Sequence, residues 1–265
     1  MINPIFFVQN NHVVRLTGPV ADFAFAEGYS LEDRSSNREF NPDKCGVDWP
    51  VDDLLVLPYG SVQFIRKIKE SSLGKFIWHE EDRFAATTWM PILADDALNS
   101  HGKAITVSDI NDALEEFGPL HLRPDKIDKA FLGGVYTRET WAKHKQDRCI
   151  DEDLVCWASP LTEIEAEWRC WVIGGYVIEI SLYRRNNKMA CERHTNPDLF
   201  QVAQALADKY IPAPCVVMDI ALTKEGYKVI EYNPIHCSGW YGADSNHVLK
   251  TWADWSERRY GEIWP

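Results

Sequence analysis

The sequence predicts a layered mixture of α-helices and β-strands, and three observations lead to that class. Short apolar runs of strand character alternate with segments whose apolar residues recur at helical spacing. Gly174-Gly175 and Lys224-Glu225-Gly226 each separate two strand-like runs, as hairpin turns do. At 265 residues and 45% hydrophobic composition, the chain can bury one large core or two ordinary ones.

Taken in order, Pro4 to Val8 and Leu54 to Pro58 read as buried strands. Val62 to Ile68 reads as a helix with Ser61 as its cap. Between them, Phe23 to Trp49 suggests no pocket, and the stretch holding Gly28, Arg34, Arg38 and Pro42 reads as a mobile loop. Asp109 to Phe117 is expected to be a helix capped by Ser108. Ile110, Ala113, Leu114 and Phe117 lie on one face, and Gly118-Pro119 stop it. A boundary is placed there, dividing a smaller N-terminal α/β domain, residues 1–118, from a second domain, residues 119–265. The second part is strand-rich: Leu120 to Arg123, Ala130 to Leu132, Leu154 to Trp157, Glu167 to Ile173, and Tyr176 to Tyr183 after the glycine pair. Asn196-Pro197 opens a helix whose apolar stripe is Leu199, Val202, Ala203, Leu206 and Tyr210. A hairpin of Val216 to Leu222 and Tyr227 to Pro234 follows, and Ser245 caps a last helix carrying Val248, Leu249, Trp252 and Trp255.

A net charge of −12 argues against non-specific binding to nucleic acid or to an anionic membrane, since both select a basic face. No run approaches the roughly 18 apolar residues of a membrane span, and Met1 to Phe7 lacks the basic start of a signal peptide. The seven cysteines form no Cys-x-x-Cys pair, against zinc and against a disulfide framework. The expected setting is a reducing cytoplasm.

The final hairpin carries the sharpest chemistry. Side chains two apart on a strand share a face, so Glu231 and Asn233 point the same way. With Gly226 in the left-handed position of a three-residue turn, Asp219 falls opposite Glu231. Three oxygen-bearing side chains then converge, and oxygen-only donors suit magnesium shared with nucleotide phosphates. Acidic residues on a hairpin more often form a solvated face. Asp219, however, is flanked by Met218 and Ile220, and a charge among apolar neighbours needs a partner. A second signal is the alternation of Glu167, Arg169 and Trp171 with Trp168, Cys170 and Val172, which by pattern alone is a half-exposed strand. A third runs from Arg123 to Gly133-Gly134. It lacks the spacing of a P-loop and by itself reads as a surface loop and turn. Neither a Gly-x-Ser-x-Gly elbow nor a His-Glu-x-x-His motif occurs, and His194 and His236 read as polar loop residues.

In this order the three signals resemble the ATP-grasp superfamily of ATP-dependent carboxylate–amine ligases. More closely, they resemble its clade named for one arginine and two lysines, found widely in bacteria and phages. The similarity rests on Arg123-Pro124, Lys129-Ala130-Phe131 and Gly133-Gly134; on Glu167-Trp168-Arg169; on Ser181, Tyr183 and Arg184; and on Asp219, Glu231 and Asn233. It covers about Leu120 to Trp255. The resemblance implies an α+β ATP-grasp fold, two subdomains clasping ATP, preceded by a smaller pre-ATP-grasp domain that helps build the substrate side. It implies phosphate contacts from Lys129 and Arg123, and adenine beside the backbone of Ser159, Pro160 and Leu161. Glu167 is then expected at the ribose, with Arg169 also on the cofactor side. Arg184 is expected at the γ-phosphate or acyl group, and Mg2+ on Asp219, Glu231 and Asn233. Many members place a lysine just before the adenine-binding connector. Leu154 to Ser159 has none, and Lys143, Lys145 or Lys188 are the alternatives. The implied reaction joins a carboxylate to an amine through an acyl phosphate, on an amino acid, peptide or protein. A phosphotransferase, or a silent ATP-binding assembly factor, are the competing functions.

Overall fold

The computed structural model describes residues 4–10, 14–35, 55–126 and 130–263. The chain opens with a parallel sheet, in which β1 (Ile5–Asn10) lies between β2 (Ser30–Ser35) and β3 (Val56–Tyr59). Helix α1 (Val14–Glu27) crosses from β1 to β2. Gly28, at φ 73°, turns the chain out of the helix. β2 lies in the stretch expected to be a loop. Its sequence, Ser-Leu-Glu-Asp-Arg-Ser, has little strand character, and pairing along β1 makes it extended. Arg38 and Pro42 lie outside the described residues. Helix α2 (Val62–Lys69) follows β3, and the Ser61 hydroxyl accepts from the Phe64 N–H at 3.1 Å, as expected of its cap. Two short helices, α3 (Glu81–Phe84) and α4 (Ala86–Leu93), lead into the next unit.

That unit is a four-stranded antiparallel sheet in the order β4 (Lys103–Thr106), β7 (Val155–Ser159), β5 (Leu120–Pro124), β6 (Gly134–Tyr136). Helices α5 (Ile110–Phe117) and α6 (Arg138–Arg148) supply Ile110, Leu114 and Trp141 to its core. β4 and α5 precede residue 118 yet build into this sheet and core. Ser108 is not a cap: it lies in a 3-10 turn, Val107–Asp109, and its hydroxyl meets that of Thr106 at 2.7 Å. Ala130 to Leu132 is not a strand either. Phe131 turns inward against Trp141, ring centroids 5.2 Å apart, and the strand starts at Gly134.

The largest sheet is antiparallel, in the order β10 (Lys188–Arg193), β9 (Tyr176–Arg185), β8 (Ala166–Ile173), β11 (Cys215–Thr223), β12 (Gly226–Pro234). One face packs Trp168, Cys170, Met218 and Ile220 against Leu199, Ala203 and Leu206 of α7 (Pro197–Lys209). Burying each large apolar side chain contributes roughly 1.5–3 kcal/mol. On the other face, Trp171, Ile173 and Val217 join the N-terminal sheet and α8 (Ser245–Ile263) in a second core. Toward the N-terminal end of β8, that same face carries Glu167 and Arg169 beside Asp219. All eight residues of β8 are therefore buried, and its polar alternation marks a lined cleft rather than a solvated face. Asp244, not Ser245, caps α8: its carboxylate accepts from the His247 N–H at 3.1 Å.

The last hairpin pairs Asp219 with Glu231, as expected, but by a different route. Thr223 pairs with Gly226, so the turn is the two residues Lys224-Glu225, with Gly226 at φ 105°. Asp219 pairs with Glu231 while Ile220 pairs with Val229, which leaves Ile230 as a bulge. The bulge restores the register that a longer turn would have set.

Candidate functional site

A cleft of about 920 Å³ runs between the four-stranded and five-stranded sheets. His121 and Arg123 of β5 and the Gly133-Gly134 pair line one side. Glu167, Arg184 and Glu231 line the other. A second recess of about 400 Å³ shares Arg123, Gly133 and Glu231 with it and reaches Arg169, Asn233 and Tyr241.

The end of the hairpin is a compact network. Arg169 donates to both oxygens of Asp219, Nε to Oδ1 at 2.9 Å and Nη2 to Oδ2 at 2.7 Å. Its Nη1 donates to the Gly239 carbonyl at 3.1 Å. The Asn233 amide bridges the two carboxylates, donating to Asp219 Oδ2 at 3.3 Å and to Glu231 Oε1 at 2.9 Å. Arg123 reaches across from β5: Nη1 donates to the bulged Ile230 carbonyl at 3.0 Å, and Nη2 lies 3.7 Å from Glu231 Oε2. The bulge thus supplies the carbonyl that ties the sheets together.

Exposure separates the carboxylates. The Asp219 side chain is 1% exposed, that of Glu231 37%. Burial pushes the Asp219 carboxyl up to about 6, against the pull of Arg169, and Glu231 and Glu167 push the same way. Burial also raises Glu231, but Arg123, the Asn233 amide and Arg169 outweigh it and hold that carboxyl below its ordinary value. Desolvation works against the charge of Arg169, yet Asp219 and Glu231 keep it firmly protonated. A hard divalent cation takes oxygen donors. Glu231 offers a carboxylate at the cleft with the Asn233 amide beside it, so the donor set fits magnesium, and Asp219 stands behind them under Arg169.

Glu167 is held by two donors, Tyr183 Oη at 2.5 Å and Arg184 Nη1 at 3.0 Å. Burial and the nearby carboxylates of Asp219 and Glu167 push the Tyr183 phenol up, so it remains a donor. Arg184 is half exposed at the cleft wall. Leu161 lines the cleft; Ser159 is buried behind it and Pro160 borders an apolar recess alongside. Lys129 lies outside the described residues. The structure thus gathers Arg123, Leu161, Glu167, Arg184 and Glu231 on one cleft, with Asn233 and Arg169 on the adjoining recess.

Sequence reasoning missed several cleft residues. None of Lys143, Lys145 and Lys188 lines the cleft; Lys145 pairs with Glu152 at 2.5 Å. Lys224, read only as a turn residue, does line it. His121 and Asn99 also face it, His121 Nδ1 lying 3.3 Å from the Asn99 amide nitrogen. Burial and Arg123 lower the His121 pKa to about 4, so it is neutral. No spacing rule marks these residues.

The model of one protein family matches residues 101–251: the ATP-grasp domain, family 2 of the clade named for one arginine and two lysines. Among curated proteins, no sequence matches the chain. Solved structures share its fold. A RimK domain ATP-grasp protein from Sphaerobacter thermophilus is 14% identical with a TM-score of 0.59, covering 95% of this chain and 98% of its own. D-alanine–D-alanine ligase from Bacillus anthracis is 10% identical with a TM-score of 0.61, covering 99% of both chains. A RiPP-associated ATP-grasp ligase from Chryseobacterium gregarium, in complex with ADP and a leader and core peptide, is 11% identical with a TM-score of 0.56, covering 97% of both chains.

Proposed function

The chain belongs to this ATP-grasp domain family, the second of the arginine-and-two-lysines clade, and from that premise we propose that it is an ATP- and magnesium-dependent carboxylate–amine ligase. The observation that carries this reading is the partly exposed Glu231 carboxylate with Asn233 beside it, in a cleft walled by Arg123 and Arg184.

ATP lies along the cleft, its adenine at the Leu161 end and its ribose at Glu167. Its phosphates run toward Arg123 and Arg184, with Lys129 as a further phosphate contact. Magnesium, when bound by Glu231 and Asn233, supplies charge neutralisation for the transferring phosphoryl group. Tyr183 and Arg184 orient Glu167 through its two oxygens. The substrate carboxylate attacks the γ-phosphorus, ADP leaves, and the resulting acyl phosphate is attacked by an amine. Phosphate departs, and the nitrogen loses a proton to give the amide. Closing the two sheets over the cleft excludes water from the acyl phosphate.

The N-terminal unit, placed at residues 1–118 by the sequence reading, shapes the acceptor side. β4 pairs in the four-stranded sheet and α5 packs in its core, which supports a functional limit before β4. A peptide or amino acid is the substrate class, and the peptide held by the Chryseobacterium ligase supports that choice. Among the described residues no helix is long and apolar enough to cross a membrane, and a reaction fed by cellular ATP belongs in the cytoplasm.

Calorimetry with a non-hydrolysable ATP analogue tests the site. Glu231→Ala is expected to weaken magnesium-dependent binding by about tenfold or more, the equivalent of about 1.4 kcal/mol. Undiminished affinity rejects the site. An ADP-release screen over amino acids and peptides, with mass spectrometry of products, tests the reaction. A phosphorylated product without an amide rejects ligation in favour of phosphotransfer.

A further inference from the structure

The joint between Arg169 and Asp219 carries an inference about this same site, resting on the ligase reading above. We propose that the Arg169 guanidinium takes the place of a divalent cation at Asp219. The chain then binds its nucleotide with a single divalent ion, held by Glu231 and Asn233.

Three features fix Arg169 where it is. It commits Nε and Nη2 to the two oxygens of Asp219, at 2.9 and 2.7 Å, and Nη1 to the Gly239 carbonyl at 3.1 Å. Its guanidinium carbon lies 4.9 Å from the Tyr241 ring centroid and 5.8 Å from that of Tyr183. Both partners of the pair are withdrawn from solvent, at 9% and 1% exposure. A cation directly on Asp219 would have to share that carboxylate with a guanidinium it repels. The alternative is to drive Arg169 off, leaving a buried charge with no partner. The bidentate fork already matches the carboxylate's geometry and charge.

Glu231 is in the opposite situation. It borders both recesses, it is the more exposed carboxylate, and Arg123 reaches it only at 3.7 Å. The Asn233 amide plane is fixed by its Nδ2 bonds to Asp219 and Glu231. Asp219 therefore acts through others: it holds Arg169 and aims Asn233. Arg123, Arg184 and Lys224 line the cleft to meet the remaining phosphate charge.

The test counts manganese ions bound to the full chain with a non-hydrolysable ATP analogue, by equilibrium dialysis and electron paramagnetic resonance. The wild type is expected to bind one ion per chain at saturation. Arg169→Met, which uncovers the Asp219 carboxylate, should raise the count to two. The double variant R169M/D219N, with no carboxylate left to fill, should return it to one. A wild-type count of two with normal nucleotide binding overturns this inference alone, and so does a folded Arg169→Met protein that still binds one. If Arg169→Met does not fold, the wild-type and double-variant counts decide between one site and two. Failure of the wild type to bind the analogue at all overturns the ligase reading, and this inference with it.

Discussion

Two arginines grip the same loop, residues 235–244, with the same chemistry, and only one of them borders the candidate site. Arg169 holds Gly239 and forks onto Asp219. Arg193 forks onto Glu179 at 2.8 and 2.9 Å and reaches Asp244 at 3.1 Å. Each carboxylate is buried, Asp219 at 1% and Glu179 at 2%, but Arg169 is 9% exposed and Arg193 46%. The Arg193 pair fastens β10 and the start of α8 to β9, since the Asp244 N–H also donates to Glu179 at 3.1 Å. A buried carboxylate with a forked arginine is therefore no mark of a site. What distinguishes the Arg169 pair is its setting: a partly exposed second carboxylate and a bridging amide lie beside it, facing a cleft. The difference in exposure also says which pair the fold tolerates losing least.

The largest effect should come from Asp219→Ala. Removing Asp219 strands Arg169 as an unpaired buried charge, a loss of about 3–5 kcal/mol of stability, to be read from urea unfolding. A loss below about 1 kcal/mol would show that Arg169 rehydrates freely and would erase the contrast between the pairs. Glu179→Ala should cost less, about 1–3 kcal/mol, because half-exposed Arg193 can turn to solvent. It should leave nucleotide affinity unchanged. Equal losses for the two variants would mean that arginine exposure is not what separates them.

A third effect concerns the start of the loop they share. His236 is buried, accepts from the Trp78 N–H at Nε2, 2.9 Å, and meets the Pro58 carbonyl through Nδ1 at 2.9 Å. Burial lowers its pKa to about 4, against an ordinary 6.5. A base depressed in the folded state contributes stability that is fully present above the unfolded value and lost as pH falls toward the folded one. Stability should therefore decline from about pH 6.5 to pH 4, by up to about 1.4 kcal/mol per pH unit for this one group. His79 and His121, lowered likewise to about 4, add to the decline. His236→Asn should flatten the slope by about one proton; an unchanged slope would place the acid sensitivity elsewhere.

Much of the architecture was legible in the chain. Strands with strong apolar runs, such as β11, and helices with clear caps, such as α2 and α7, formed near where their spacing put them. β2 was not legible, because six mostly polar residues become a strand only by lying along β1. The caps at Ser108 and Ser245 were misplaced by one residue or a 3-10 turn, a choice made by local hydrogen bonds that several neighbouring polar residues can satisfy. Of the site, Asp219, Glu231 and Asn233 were legible because two-residue periodicity and hairpin pairing are local rules. The pairing came out right although the turn did not, since the bulge at Ile230 compensated for it.

By itself, then, the sequence determined the α+β class, the meeting of Asp219, Glu231 and Asn233 on one hairpin, and the likeness to the ATP-grasp family, each carried by short motifs that local rules can read. Only the tertiary structure decided which cation each carboxylate meets. Arg169 is 50 positions from Asp219, and Arg123 is 107 from the Ile230 carbonyl it holds. The physical reason is one of range. Periodicity specifies which face a side chain takes, whereas the partner of a buried charge depends on which strands become neighbours, and burial then makes that partner obligatory.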